Sequence, residues 1–66
     1  MMPNLDHTLL TLREVMAKTS LSKPTIYKRV DEGTFPRQVQ IGRNRVAWLQ
    51  REIHAWVEAQ ARARQA

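Results

Sequence analysis

The feature that most constrains this chain is a pair of helix-start signals that lie close together in its first half. Thr11-Leu12-Arg13-Glu14 has the spacing of a capping box, in which Thr11 and Glu14 each accept a hydrogen bond from the other's backbone amide. Ser22 is a second N-cap candidate, and Pro24 is tolerated after it because the amides of a first turn have no helical acceptor. The chain is therefore predicted to form two successive helices.

The first helix is predicted to be short. Leu12, Val15 and Met16 recur at the i, i+3, i+4 spacing of one helical face. This pattern indicates about two turns, ending at Lys18, followed by a tight turn over residues 19–21.

The second helix is predicted over residues 23–32. Ile26 and Val30 lie four residues apart and share one face, and Gly33 follows where a left-handed C-cap is favoured. Two short helices joined by about three residues form the helix-turn-helix pattern.

After Pro36 the apolar period changes from that of a helix to that of a strand. Val39 and Ile41 alternate with glutamines, Val46 and Trp48 lie on alternate positions, and Gly42-Arg43-Asn44 between them has the composition of a turn. A small β-hairpin with one apolar face is therefore predicted.

A third helix is predicted over residues 50–64. Ile53, Trp56 and Val57 form one apolar stripe that Ala61 extends, so this helix is expected to pack over the hairpin and the helix pair. The fold class predicted is mainly α with a small β-hairpin.

The length of 66 residues indicates one domain, residues 1–66. Residues 1–8 lack periodicity and are expected to be a flexible lead-in, Leu9 and Leu10 to be the first residues near the core, and residues 62–66 to fray.

The short length and the composition of the chain disfavour catalysis and cofactor chemistry. A chain this short has little core from which to build an enclosed pocket, so it is expected not to be an enzyme. It has no cysteine, and neither His7 nor His54 has a second ligand at metal-binding spacing. We therefore expect no metal and no other cofactor.

The charge balance points to a polyanionic partner. Eleven Lys and Arg residues against six Asp and Glu give a net charge of +5, the electrostatic footprint of a protein that binds nucleic acid or an anionic membrane face. The longest apolar run, Val46-Ala47-Trp48-Leu49, is far too short to cross a bilayer, and no signal-peptide pattern opens the chain. We therefore expect a soluble, cytoplasmic protein, associated with the nucleoid through DNA.

The second helix is the leading candidate for a DNA contact, because in this motif the second helix enters the major groove. Helix N-termini also present free amide donors and partial positive charge to a phosphate. The candidate residues on this helix are Ser22, Lys23, Thr25, Tyr27, Lys28 and Arg29. The alternative is that its cations form an ordinary solvated face.

The hairpin tip is the second candidate. Arg43 and Arg45 can grip phosphates or enter a narrowed minor groove from a protruding wing. Asn44 belongs to the same tip, where it is expected mainly to shape the turn. Trp48 and Trp56 could stack on single-stranded bases, but their inward registers favour a core role.

Several short segments of the chain have a familiar order and spacing. They are Leu12-Arg13-Glu14-Val15, Leu21-Ser22-Lys23-Pro24-Thr25-Ile26-Tyr27, Glu32-Gly33-Thr34-Phe35-Pro36, Ile41-Gly42-Arg43, Trp48 and Glu52-Ile53-His54-Ala55-Trp56. Together, over about residues 9–57, they resemble the AlpA family of phage and prophage regulators. That family is related to phage excisionases and to the N-terminal domain of MerR-type regulators.

The resemblance implies a winged helix-turn-helix and a sequence-specific binder of double-stranded DNA. It also implies base and backbone contacts at Ser22, Lys23, Thr25, Tyr27 and Lys28, with the wing at Arg43 and Arg45. The chain departs from the family pattern at Ser20, where glycine is common, and at Leu49, where a polar residue is more usual. A left-handed Ser20 would carry mild strain, and Leu49 leaves the N-cap of the third helix undefined.

Three functions fit the same fold, because function belongs to sites carried on folds. The chain is a transcription regulator, an excisionase-like factor that bends DNA to direct recombination, or a DNA-localised adaptor whose partner is RNA polymerase or an integrase or other recombinase. After Gln50 the chain continues for about two heptads, fewer than a coiled coil needs. We therefore expect a monomer in solution that binds side by side on repeated DNA sites.

Overall fold

The computed structural model describes residues 8–64, which form three helices and three short strands. In chain order these are β1 (Leu9–Leu10), α1 (Leu12–Thr19), α2 (Lys23–Glu32), β2 (Val39–Gly42), β3 (Arg45–Leu49) and α3 (Gln50–Ala63). Most of the predicted lead-in, residues 1–7, and the last part of the predicted frayed end, residues 65–66, lie outside the described residues. The predicted bounds of the three helices are confirmed to within a residue.

Helix α1 begins with the predicted capping box. The Thr11 amide donates to Glu14 Oε1 at 2.8 Å, and the Glu14 amide donates to Thr11 Oγ1 at 3.1 Å. The helix ends at Ser20, whose φ of 63° lies in the left-handed region. The strain expected of a serine in that conformation is therefore present in the turn between the helices.

Helix α2 also has the predicted caps. The Thr25 amide donates to Ser22 Oγ at 3.4 Å, and Pro24 lies in the first turn. At the other end Gly33 adopts a φ of 79°, which only glycine reaches without steric cost.

The three strands form a small antiparallel sheet in the order β1-β3-β2. The pairing of β1 with β3, in the register Leu9 to Leu49 and Leu10 to Trp48, was not predicted from the sequence. It also supplies the missing cap of α3, because the Gln50 amide donates to the Thr8 carbonyl at 2.8 Å. Leu49, with no polar side chain, makes no cap hydrogen bond itself.

The core lies between the helices and β3. Its four fully buried large side chains come from four different elements, which are Val15, Ile26, Trp48 and Ile53. The Trp48 indole donates to the Pro36 carbonyl at 2.9 Å, so its one polar atom is satisfied. Trp48 is therefore the side chain around which the elements meet.

The apolar faces predicted for the hairpin and for α3 are buried less fully than their patterns extend. Strand β2 is exposed along its length, with Val39 at 37% and Ile41 at 46% exposure, because it packs mainly against β3 and a register shift between Gln40 and Gly42 interrupts its alternation. The apolar stripe of α3 is buried only at Ile53 and half-buried at Trp56. Ala61, predicted to extend that stripe, is exposed because α3 runs beyond the core.

The architecture is that of a winged helix-turn-helix domain. Helices α1 and α2 form the helix-turn-helix unit around Ser20, and the β2–β3 hairpin is the wing. Helix α3 and β1 cover the other sides of β3.

Candidate nucleic-acid interface

Helix α2 presents one face to the core and the opposite face to solvent. Ile26 and Val30 are buried, whereas Pro24 and Lys28 are exposed. At about 100° per residue, Lys28 lies about 200° around the helix from Ile26. Lys28 is therefore at the middle of the outward face, where the sequence analysis placed a DNA contact.

The N-terminus of α2 lies at one end of this face and is capped by Ser22. The Ser22 hydroxyl accepts from the Thr25 amide and donates to Thr25 Oγ1 at 3.0 Å, so these two predicted residues are in direct contact. Exposed Lys23 follows the cap immediately. The first turn of α2 contains no acidic residue, unlike those of α1, with Glu14, and α3, with Glu52.

Three of the predicted residues, Thr25, Tyr27 and Arg29, are half-buried, whereas the others are exposed. Tyr27 is half-buried, with its ring edge-on to that of Trp48 at a centroid distance of 6.1 Å. Arg29 is also half-buried, and its carbonyl accepts from the Thr34 amide at 2.9 Å. These two side chains lie on opposite flanks of the outward face and can contribute only their exposed ends to a partner.

Lys28 has an intramolecular partner that the sequence analysis missed. Its Nζ lies 3.7 Å from Glu32 Oε2, and both side chains are largely exposed, at 75% and 49%. The i, i+4 spacing of opposite charges on a predicted helix was the signal that could have found this pair. An exposed ion pair of this kind contributes little to the stability of the fold.

The wing tip carries the second set of predicted residues, Arg43, Asn44 and Arg45, which are all exposed. Asn44 has a φ of 62°, so its residue type suits the turn conformation directly. Gln40 Nε2 donates to the Gly42 carbonyl at 2.6 Å, which braces the base of the turn. The two arginines on either side of Asn44 bring two mobile cations to one protruding tip.

The α2 face and the wing tip are separate surfaces. Within residues 8–64, no hydrogen bond or ion pair joins the α2 candidates to Arg43, Asn44 or Arg45. What relates them is their shared attachment to the core, through Ile26 for α2 and Trp48 for β3.

An open depression lies elsewhere, between the loop after α2 and the start of α3. Its lining includes Phe35, Pro36, Val39, Leu49 and Trp56 and is mostly apolar. Gln38, also in its lining, has a buried Oε1 without a hydrogen-bond partner.

The part of the chain that the structure describes contains no group of three or more His, Cys, Asp or Glu side chains placed to hold a metal ion. Among the same residues, no helix combines the length and the apolar character needed to traverse a bilayer.

Comparison with known proteins agrees with this architecture. Residues 8–61 match the family described as prophage CP4-57 regulatory protein (AlpA). The chain is also 46% identical over 48 residues to the uncharacterized protein ORF88 of Enterobacteria phage P4. That alignment covers 73% of this chain and 54% of the phage protein, so the chain spans about half the length of this relative. Since the family match extends over all six elements of the fold, this chain belongs to the AlpA family of prophage regulatory proteins.

Proposed function

We propose that this protein is a sequence-specific, double-stranded-DNA-binding transcription regulator that inserts α2 into the major groove. The observation that carries the proposal is the division of α2 into two faces. Ile26 and Val30 anchor one face to the core, and the opposite face, centred on Lys28, is exposed beside an N-terminus without acidic residues. An outward helix face of this kind fits the width of the major groove.

The residues of α2 divide into two roles. Ser22 and Lys23 hold a phosphate, since the positive end of the helix dipole favours an anion there. Thr25 and Lys28 read base edges, with Lys28 suited to the O6 and N7 acceptors of guanine. Tyr27 and Arg29, which are half-buried, contact the sugar-phosphate walls with their exposed ends.

The wing contributes affinity rather than sequence information. Arg43 and Arg45 lie on either side of the left-handed Asn44 and are free to follow the backbone or a narrow minor groove. Because the wing tip and α2 are separate surfaces, an extended duplex is the ligand that engages both. The net charge of +5 supports binding to such a polyanion.

The family assignment does not distinguish a promoter-bound regulator from an excisionase-like DNA-bending factor or an adaptor for RNA polymerase or a recombinase. No contact in the described residues favours either alternative. We accordingly retain transcription regulation as the proposal, with the protein acting in the cytoplasm at bacterial or phage DNA. Binding as a monomer, side by side on repeated sites, remains a prediction.

The proposal is tested by selecting a binding site from a random duplex library and titrating that site and a scrambled duplex with variants of α2. Lys28→Ala and Thr25→Ala should each lose about 1–3 kcal/mol on the selected site and much less on the scrambled one, because base contacts are made only to the correct sequence. Fluorescence anisotropy at several salt concentrations measures both affinities.

The matched control is Lys18→Ala, since Lys18 is an exposed lysine on α1 beside His54 and Val57 of α3. It should weaken both duplexes alike or leave them unchanged. The proposal fails if no sequence is enriched, or if the α2 variants retain the full discrimination of the parent protein.

A further inference from the structure

The exposed side of α2 changes sign along its length. Lys23 and Lys28 occupy its first and middle turns, whereas Asp31 and Glu32 occupy its last turn. Carboxylates at a helix C-terminus face the negative end of the helix dipole and are unfavourable there. Helix stability therefore does not account for their position.

The order of the two charges in the Lys28–Glu32 pair is also unfavourable for helix stability. In a helix the ion pair is stronger when the acid precedes the base, as in Glu58 and Arg62 of α3, which lie 3.4 Å apart. In α2 the order is reversed, with Lys28 first and Glu32 second at 3.7 Å. The α2 pair thus lies in the less stabilising orientation, on the helix face that the proposed function assigns to DNA.

We propose that Glu32 is a specificity-determining residue that holds the Lys28 ammonium toward base edges and away from phosphates. This inference rests on the proposed function. An ammonium has three donors, so Lys28 can keep its contact with Glu32 while donating to a guanine. On the wrong sequence, Lys28 would gain most by swinging to a phosphate, which requires it to leave Glu32 and leaves that carboxylate near the DNA backbone without its ion-pair partner.

Glu32 therefore lowers binding to random duplex more than binding to the correct site. Unlike Glu32, Asp31 forms no ion pair within residues 8–64. Both carry one negative charge on the exposed side of the same turn. A substitution at Asp31 thus reproduces the change in net charge without altering the restraint on Lys28.

The test measures the affinities of Glu32→Gln, Asp31→Asn and Glu58→Gln for the selected and scrambled duplexes across a salt series. We expect Glu32→Gln to bind scrambled duplex about 3- to 10-fold more tightly, with its dependence of log K on log salt steeper by about 0.9, the value for one added phosphate contact. The selected site should gain less, so that the ratio of the two affinities falls at least about threefold.

The controls distinguish the restraint of Glu32 on Lys28 from the effect of a change in net charge. Asp31→Asn should strengthen both duplexes by the same factor and keep the ratio, and Glu58→Gln, which breaks the ion pair on α3, should change neither by more than about twofold. With Lys28→Met as background, adding Glu32→Gln should no longer alter the ratio. Thermal melting of each variant by circular dichroism verifies that α2 remains folded.

Two outcomes would overturn the inference. One is an equal fall, in Glu32→Gln and Asp31→Asn, of the ratio of the affinities for the selected and scrambled duplexes. That result would mean that net charge alone lowers the ratio. The other is an unchanged ratio in Glu32→Gln. A failure of the proposed function is distinguishable from both, because it appears in the parent protein as the absence of any selected sequence.

Discussion

The two strands of the wing hairpin pair with each other, but only β3 contributes side chains to the core. Strand β3 contributes Ala47 and Trp48 to the core, whereas every residue of β2 is exposed, including Val39 and Ile41. The difference follows from what packs against each strand, since β3 lies against α1 and α3, whereas β2 packs mainly against β3. Hydrogen bonding alone therefore does not make a strand part of the core, because burial also requires a helix against its face.

This comparison separates the residues that hold the fold together from those available to a ligand. The hairpin tip carries Arg43, between the strands, and Arg45, the first residue of β3, and both are exposed, unlike the core side chains of β3. We therefore expect substitutions of the core residues of β3 to lower stability and substitutions at the tip to weaken DNA binding. Substitutions on β2 should change neither stability nor DNA binding.

The largest effect is expected from Trp48→Ala. Trp48 is fully buried and donates to the Pro36 carbonyl, so its loss should cost about 3–5 kcal/mol and unfold a domain of this size. Chemical denaturation followed by circular dichroism measures the loss.

Trp56→Ala is the matched comparison. Trp56 is half-buried, packs edge-on against Phe35 at 4.8 Å and donates to the Thr34 carbonyl at 2.8 Å, so the same substitution should cost less. An equal or greater loss at Trp56 would show that the centre of the core has been misassigned.

An intermediate effect, on binding alone, is expected from replacing Arg43 and Arg45 together by Ala. Selected and scrambled duplexes should weaken alike, and the salt dependence of log K should flatten by about 1.8 if both arginines contact phosphates. The free energy of unfolding should change by no more than about 0.5 kcal/mol, because both side chains are exposed.

The control for the wing is Arg62→Ala with Arg64→Ala on and beyond the end of α3, which removes the same charge from another exposed place. A loss of affinity as large as that of the wing variant would mean that overall charge, and not the wing, binds DNA. A selective loss on the correct sequence would instead assign base reading to the wing.

The smallest effect is expected on β2. Ile41→Thr keeps a β-branched residue in an edge strand at a side chain that is 46% exposed, so stability should change by about 0.5 kcal/mol or less. The same substitution at fully buried Ile53 should cost several times more, since it leaves a buried hydroxyl and a lost methyl contact. Similar losses at both positions, measured by thermal melting, would contradict the division between the strands.

The sequence was a good guide to the candidate site, because the site is built from local signals. The caps at Thr11 and Ser22 and the left-handed positions at Ser20, Gly33 and Asn44 are each governed by residues a few positions apart. Such signals place the outward face of α2 and the wing tip without knowledge of the rest of the fold. The Lys28–Glu32 pair is equally local and was readable from its spacing.

The tertiary structure alone decided which apolar residues are buried and how α3 begins. Alternation predicted one apolar face for the hairpin, but a period of two does not show what covers that face, and Val39 and Ile41 are exposed. Strand β1 has two residues, too few for any periodic signal, yet it pairs with β3, and the Thr8 carbonyl beside it caps α3. Hydrogen bonds and burial of this kind join residues distant along the chain, so they depend on the packing of the whole domain, whereas helix caps and turns are set within a few residues.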